Sequence, residues 1–259
     1  MSKKFEEDLD DDLRPEYDFS TMEVVARGPQ RKMPQSTLLE SWVGGSRATL
    51  ALVITDIVGS TALNKRLGDR NWFELHNQHT QKVNELIYQG AFDCRKIKDM
   101  GDGFLIVFRT AIDAFGFAVQ LHTDTGHPEI KIRASIHVGA VRIDGNDIRG
   151  GMVSFATRIG GWAKRNWIVL SDIAKQHITE ELGTESSGIR FIPRQADLKD
   201  FSQQKIWIAV TPEMRRPIVK NGNEQASASL SHPAKLKTPP PYWWRRIKEE
   251  MEKENKNSF

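Results

Sequence analysis

The stretch VITDIVGST, residues 53–61, decides how the chain is read. Together with the preceding TLAL it forms an apolar run, and the run predicts a buried strand over 49–55. The strand ends in an acid, Asp56, and then in Gly59, Ser60 and Thr61. A strand buried along its middle delivers its last residue to the rim of its sheet. Asp56 is then held by a rigid element and still reaches solvent. Gly59 allows close approach of the backbone. Ser60 is predicted to cap a short helix over TALNKRL, so that Ser60 and Thr61 offer N–H groups and hydroxyls to an anion. The stretch is not a P-loop, because no GxxxxGK[ST] pattern occurs.

Outward from this strand, helical and extended patterns alternate. An amphipathic helix is predicted over 71–89, with Trp72, Leu75, Val83, Leu86 and Ile87 on its apolar face. Residues 92–100 and 104–108 read as two strands joined through a GDG turn. A helix over 111–122 and an alternating strand over 130–138 follow. The turn-rich DGNDIRGG leads into a helix near 152–162, and 166–171, 189–193 and 205–210 read as further strands. The order β-α-β-β-α-β predicts an α+β fold, a ferredoxin-like βαββαβ core with added strands. In such a sheet the first and third strands are neighbours. Asp102, in the GDG turn just before the third, is therefore expected beside Asp56. Alone, Asp56 reads as a helix cap and Asp102 as a hairpin residue. As a pair beside an anion-binding turn they suit Mg²⁺ or Mn²⁺ bridging phosphates. His76 and His79 stand at i,i+3, but no carboxylate cluster accompanies them at ligand spacing.

The 259 residues suffice for one sizeable domain with extensions. We divide them into an acidic, loosely ordered arm (1–45), a folded domain (46–211) and a Pro-rich, polar linker with a basic, Trp-containing tail (212–259). The tail segment PYWWRRIK reads as solvated or partner-docking. A net charge of +3, spread along the chain, gives no argument for nucleic acid. No apolar run is long enough to span a membrane. The N-terminus lacks an apolar signal core, so a cytoplasmic protein is expected. The single Cys94 has no partner for a disulfide or a CxxC zinc site.

TDIVGST and KDMGDGF closely match the two metal-binding motifs of the class III nucleotide cyclases, the family of adenylate and guanylate cyclase catalytic domains. DIRGGMVSFATRI resembles that family's third motif, D-x-x-G-x-x-V-N-x-A-x-R. LKDF (198–201) is similar to the segment carrying its phosphate-contacting lysine. The resemblance covers residues 47–210. It implies that Asp56, the carbonyl of Ile57 and Asp102 hold two divalent metal ions, Mn²⁺ or Mg²⁺. Gly59, Ser60 and Thr61 would cradle the triphosphate, and Lys98 and Asp147 would select the base. Arg158 would stabilise charge on the α-phosphate. Lys199 would contact the terminal phosphates, with Lys205 as the alternative. Ser154 stands where the family usually has the ribose-orienting Asn.

What the resemblance implies is attack of the ribose 3′-hydroxyl on the α-phosphorus of a nucleoside triphosphate, with pyrophosphate leaving. In the family the site lies between two catalytic domains. This chain carries both sets of residues, so a head-to-tail homodimer with two equivalent sites is expected. Lys98 with Asp147 is the pattern associated with adenine, which points to an adenylate cyclase. Ser154, the unusual Arg149 and the compact organisation instead resemble the pyrimidine cyclases of the Pycsar antiphage defence systems. Those make cyclic UMP or cyclic CMP for a separate effector, and UTP is the substrate favoured here. An inactive, nucleotide-binding regulatory domain is the rival from another class. Retention of Asp56, Asp102, Arg158 and Lys199 argues against it.

Overall fold

The computed structural model describes residues 39–183, 188–215, 244 and 249. The arm before residue 39 and most of the tail lie outside the described residues. A short helix, Leu39–Val43 (α1), precedes the first strand, Arg47–Ile57 (β1). Helices Ser60–Leu67 (α2) and Asp69–Tyr88 (α3) lead to a hairpin of Cys94–Asp99 (β2) and Phe104–Phe108 (β3). Helix Ala111–Thr123 (α4) and strand Ile132–Asp144 (β4) complete the βαββαβ core. Strand Asp147–Arg149 (β5), helix Gly151–Trp162 (α5), strand Ile168–Ser171 (β6) and helix Asp172–Leu182 (α6) follow. Strands Arg190–Leu198 (β7) and Ser202–Val210 (β8) and helix Pro212–Arg215 (α7) close the domain. The sheet order is β2-β3-β1-β4-β6-β8-β7, with β5 paired to β4. As expected, β1 and β3 are neighbours; on its other side β1 pairs with β4, and it is antiparallel to both.

β1 is central because both its faces are apolar and both are covered. Ala51 and Val53 point into a cluster with Val83 and Leu86 of α3 and Ile112, Phe115 and Val119 of α4. Leu50, Leu52 and Ile54 point into a second cluster with Leu39 and Trp42 of α1 and Ala156 of α5. α4 is buried from Ala111 to Leu121, the pattern of a helix covered on all sides. Thr110 caps it by accepting from the Asp113 N–H.

Several elements extend beyond what patterning predicts. β4 runs on to Asp144 and turns through Gly145 and Asn146 into β5, in place of the expected turn alone. β7 and β8 are each longer than their apolar segments. α6 is an element that patterning does not announce; Ser171 caps it by accepting from the Ala174 N–H. Ser60 is not the cap of α2. Gly59 takes that position in the left-handed region (φ 73°), and Ser60 becomes the first helical residue.

Trp244, from the tail, is buried against the domain itself. Its ring packs on Phe92 (4.9 Å between centroids), and its indole N–H donates to Asp113 Oδ1 at 3.1 Å. Gly116 makes the room: a Cβ there would lie 2.5 Å from the Trp244 ring. We predict that Trp244→Ala lowers stability by about 3 kcal/mol in chemical denaturation. Gly116→Ala expels the same ring, so combining the two substitutions should cost little more than Trp244→Ala alone.

Burial also holds the His137 imidazole down at about 4 instead of the ordinary 6.5. It lies between Ser171 Oγ (2.9 Å from Nδ1) and Met152 Sδ (3.2 Å from Nε2). Above pH 6.5 the ring is neutral, folded or unfolded, and its stabilising contribution is fully present. As pH falls from there toward 4, the unfolded chain takes a proton that the folded chain refuses. The stability lost is about 1.4 kcal/mol per pH unit at most. Urea midpoints should therefore fall across this window, and less steeply for His137→Asn.

Candidate active site

Gly103 brings the two predicted acids together. A Cβ at this position would sit 1.9 Å from the Thr55 carbonyl oxygen, so no larger residue fits beneath β1 at this point. The next residue, Phe104, pairs with Thr55 and donates its N–H to Thr55 Oγ1 at 3.2 Å. The turn before β3 is thereby pressed against the end of β1, and Asp102 comes within hydrogen-bonding reach of Asp56. Burial, and then the neighbouring Asp102 charge, raise the Asp56 carboxyl above its ordinary range, while Arg133 opposes both.

Arg133 has no motif to announce it. It stands opposite Asp56 in the β1–β4 register; its Nε donates to Asp56 Oδ2 at 2.7 Å, and its Nη2 is ion-paired with the same oxygen at 2.7 Å. Its Nη1 donates to the Ala163 carbonyl at 3.1 Å. The guanidinium is thus fixed at both ends, and both contacts to Asp56 fall on one carboxylate oxygen. Beyond Asp56 the chain turns at Gly59 into α2, whose N-terminus has no side-chain cap and no acid in its first turn. That leaves first-turn N–H groups, with Ser60 and Thr61 beside them, for an anion.

Lys98 and Asp147 also meet. Lys98 Nζ donates to both carboxylate oxygens, at 2.8 and 2.9 Å. The Lys98 contact holds the Asp147 carboxyl below its usual range. A β-bulge makes this possible. Pairing of β2 with β3 shifts between Lys96 and Lys98, so Ile97 is the extra residue. Lys96 lies over the Phe104 ring, in the cluster under α3 and α4, whereas Ile97 packs into the opposite cluster with Ile148 of β5. Strict alternation would return Lys98 to the Lys96 side. The bulge keeps it on the β5 side, where Asp147 stands.

The third group sits on α5 and the β7–β8 turn. Ala156, Ile159 and Gly160 are buried, and Arg158 faces outward. Its Nη2 donates to Asp200 Oδ2 at 2.9 Å. Ser154, one turn earlier, is exposed. Lys199, next to Asp200, is exposed at the turn. Lys205 lies instead over the Trp207 ring at 4.6 Å, with Asp172 Oδ1 3.7 Å away. Among the described residues no hydrogen bond or ion pair links this group to the Asp56–Asp102 pair. The described residues hold no cluster of three or more metal-ligating side chains, and His79 is buried with its Nδ1 on the Thr125 carbonyl.

No family model matches the sequence, and no curated protein matches it. Solved structures do. The adenylyl cyclase CyaB from P. aeruginosa superposes with a TM-score of 0.55 at 19% identity, over 63% of this chain and 94% of that one. The guanylate cyclase domain of RhGC from Catenaria anguillulae, solved with GTP, gives 0.52 at 17%, over 63% and 96%. The adenylate/guanylate cyclase/hydrolase from Silicibacter pomeroyi gives 0.51 at 25%, over 64% and 98%. The chain has the fold of class III nucleotide cyclase catalytic domains.

Repulsion between Asp56 and Asp102 gives a test that needs no assay. Asp102→Asn removes a like charge and should raise the melting temperature of the metal-free protein at pH 7 by about 1–3 °C. Added Mn²⁺ should raise the melting temperature of the native protein and leave that of Asp102→Asn nearly unchanged.

Proposed function

We propose that the protein is a nucleotide cyclase, converting a nucleoside triphosphate to a 3′,5′-cyclic nucleotide and pyrophosphate at sites shared between two head-to-tail copies. The observation that carries this reading is the Asp56–Asp102 pair at the sheet rim, beside the uncapped start of α2.

The donor set fits divalent metal. Two carboxylates and a backbone carbonyl, from Asp56, Asp102 and Ile57, are hard oxygen ligands suited to Mg²⁺ or Mn²⁺. Arg133 occupies Oδ2 of Asp56, leaving Oδ1 for a ligand. Burial, and then repulsion from Asp102, raise Asp56, and a bound cation would offset both. When bound, such ions would acidify the attacking hydroxyl and offset the charge of the phosphates.

The chain's own residues do the rest. First-turn N–H groups of α2, with the Ser60 and Thr61 hydroxyls, bind the terminal phosphates, and Lys199 of the partner copy adds a cation. Lys98 and Asp147 read the base edge with one donor and one acceptor. Ser154 orients the ribose. The 3′-oxygen then bonds to the α-phosphorus, its proton passes to solvent, and the bond from the α-phosphorus to the bridging oxygen breaks. Arg158 stabilises the negative charge that develops on the α-phosphate. Positioning and electrostatics supply the rate, as in other phosphoryl transfers.

Our reading of the base is pyrimidine, with UTP ahead of CTP. It is supported by Ser154, whose side chain reaches less far than Asn, and by Arg149 beside the base-reading turn. Lys98 with Asp147 is the pair associated with adenine in the family that the sequence resembles, which gives ATP as the second reading. Every base presents an acceptor and a donor on its pairing edge, so the pair alone does not choose. A cyclic pyrimidine nucleotide would act as a messenger on a separate effector in antiphage defence. Purified protein incubated separately with ATP, GTP, CTP and UTP, each with Mn²⁺ or Mg²⁺, should form cyclic UMP from UTP in preference to any product from the other three. Cyclic AMP alone would sink the pyrimidine reading. No product from any triphosphate would support the inactive regulatory domain instead.

A further inference from the structure

The β7–β8 turn places two non-glycine residues, Asp200 and Ser202 (φ 54°), in the left-handed region. Leu198 pairs with Ser202, and the Phe201 N–H donates to the Leu198 carbonyl at 3.0 Å. Between them Asp200 stands in the left-handed region, at φ 70°. Glycine meets that conformation without steric cost, and aspartate does not. An aspartate in such a turn usually compensates by accepting from the local backbone. The partner of the Asp200 carboxylate is instead Arg158, 42 residues away in sequence.

Stability does not explain the pair. The Arg158 and Asp200 side chains are 41% and 60% exposed, and exposed ion pairs contribute little. Orientation does explain it. Arginine carries a long side chain with many rotamers, and a fixed carboxylate at its end selects among them. The contact uses Nη2 alone, so the remaining guanidinium donors stay available to another anion. The turn is itself anchored to α5, because Phe201 packs edge-on against Phe155 at 5.0 Å and 64°. Phe155 follows Ser154 directly and stands three residues before Arg158. Ser154, Arg158 and Lys199 are thus presented by one joined unit of helix and turn.

We infer that Asp200 is a positioning residue for Arg158, holding its guanidinium ready for the negative charge that develops on the α-phosphate during cyclisation. The inference rests on the cyclase reading. Arg158 acts on charge that grows in the transition state, so losing its alignment lowers kcat more than it raises KM.

The test compares Asp200→Gly and Asp200→Asn in the full chain. Glycine is the better turn former, so Asp200→Gly should melt at or above the native temperature. Its kcat should nevertheless fall about 10-fold, with KM moving less than about 3-fold. Asp200→Asn keeps an acceptor oxygen and should lie between. A second readout needs no turnover: ¹⁵N relaxation of the Arg158 Nε–Hε group should report greater mobility in Asp200→Gly. Full kcat in Asp200→Gly would show that Asp200 only forms the turn. Equal Arg158 mobility in the two proteins would overturn the inference. If the native protein makes no cyclic nucleotide, the cyclase reading falls, while the relaxation measurement still decides whether Asp200 orients Arg158.

Discussion

Two carboxylates are forced together at the rim of a sheet, and much of the candidate site depends on how they are held. Their approach requires a hairpin turn to lie directly against the end of β1, and only Gly103 can lie there, under the Thr55 carbonyl. Partial burial and mutual repulsion would push a proton onto Asp56. Arg133 offsets that tendency from the neighbouring strand and orients the carboxylate through one of its two oxygens. The apolar body of β1, buried from Leu50 to Thr55, is the rigid support that makes this placement possible. A loop would relax the two charges apart; a central strand covered on both faces does not.

The pair is legible in the sequence because both acids sit in local signals: an apolar run that ends in Asp56, and a GDG turn between two strand-like runs. The neighbouring of the first and third strands then follows from element order. Lys98 is legible by its distance from Asp102, but its aim is not. A bulge at Ile97 adds one residue to β2 and reverses the facing that alternation implies, and no composition signal marks it. Arg133 escapes a sequence reading because its partner lies 77 positions away and lysines and arginines are common on strand edges. Ser60 misleads because a serine before a helix is usually its cap. Here the chain must first turn sharply, and Gly59 supplies the left-handed residue that the turn needs. α6 escapes notice because few of its residues are apolar, with only Ala174 and Ile178 buried.

The two flanks of the domain meet its edge strand in similar ways. Trp42 of α1 donates its indole N–H to Asp93 at 2.9 Å, just before β2, and its ring has the Arg95 and Arg109 guanidiniums 5.0 and 4.7 Å from its centroid. Trp244 donates to Asp113 and packs on Phe92, immediately upstream of the same strand. Each is a large apolar body with one polar handle, and each handle finds an acid. The strand so held carries Lys98 at its other end and leads into the turn that bears Asp102. The Lys98–Asp147 and Arg158–Asp200 ion pairs, by contrast, are half-exposed.

On the cyclase reading, one chain carries two complementary halves of a site that only a second copy completes. Mixing Asp56→Ala chains with Arg158→Ala chains separates this from a site built within one chain. Each variant alone should form no cyclic nucleotide. In a mixed dimer one site loses both residues and the other keeps both, so random pairing should restore about a quarter of the native activity. Mixtures as inactive as either variant alone would contradict a shared site.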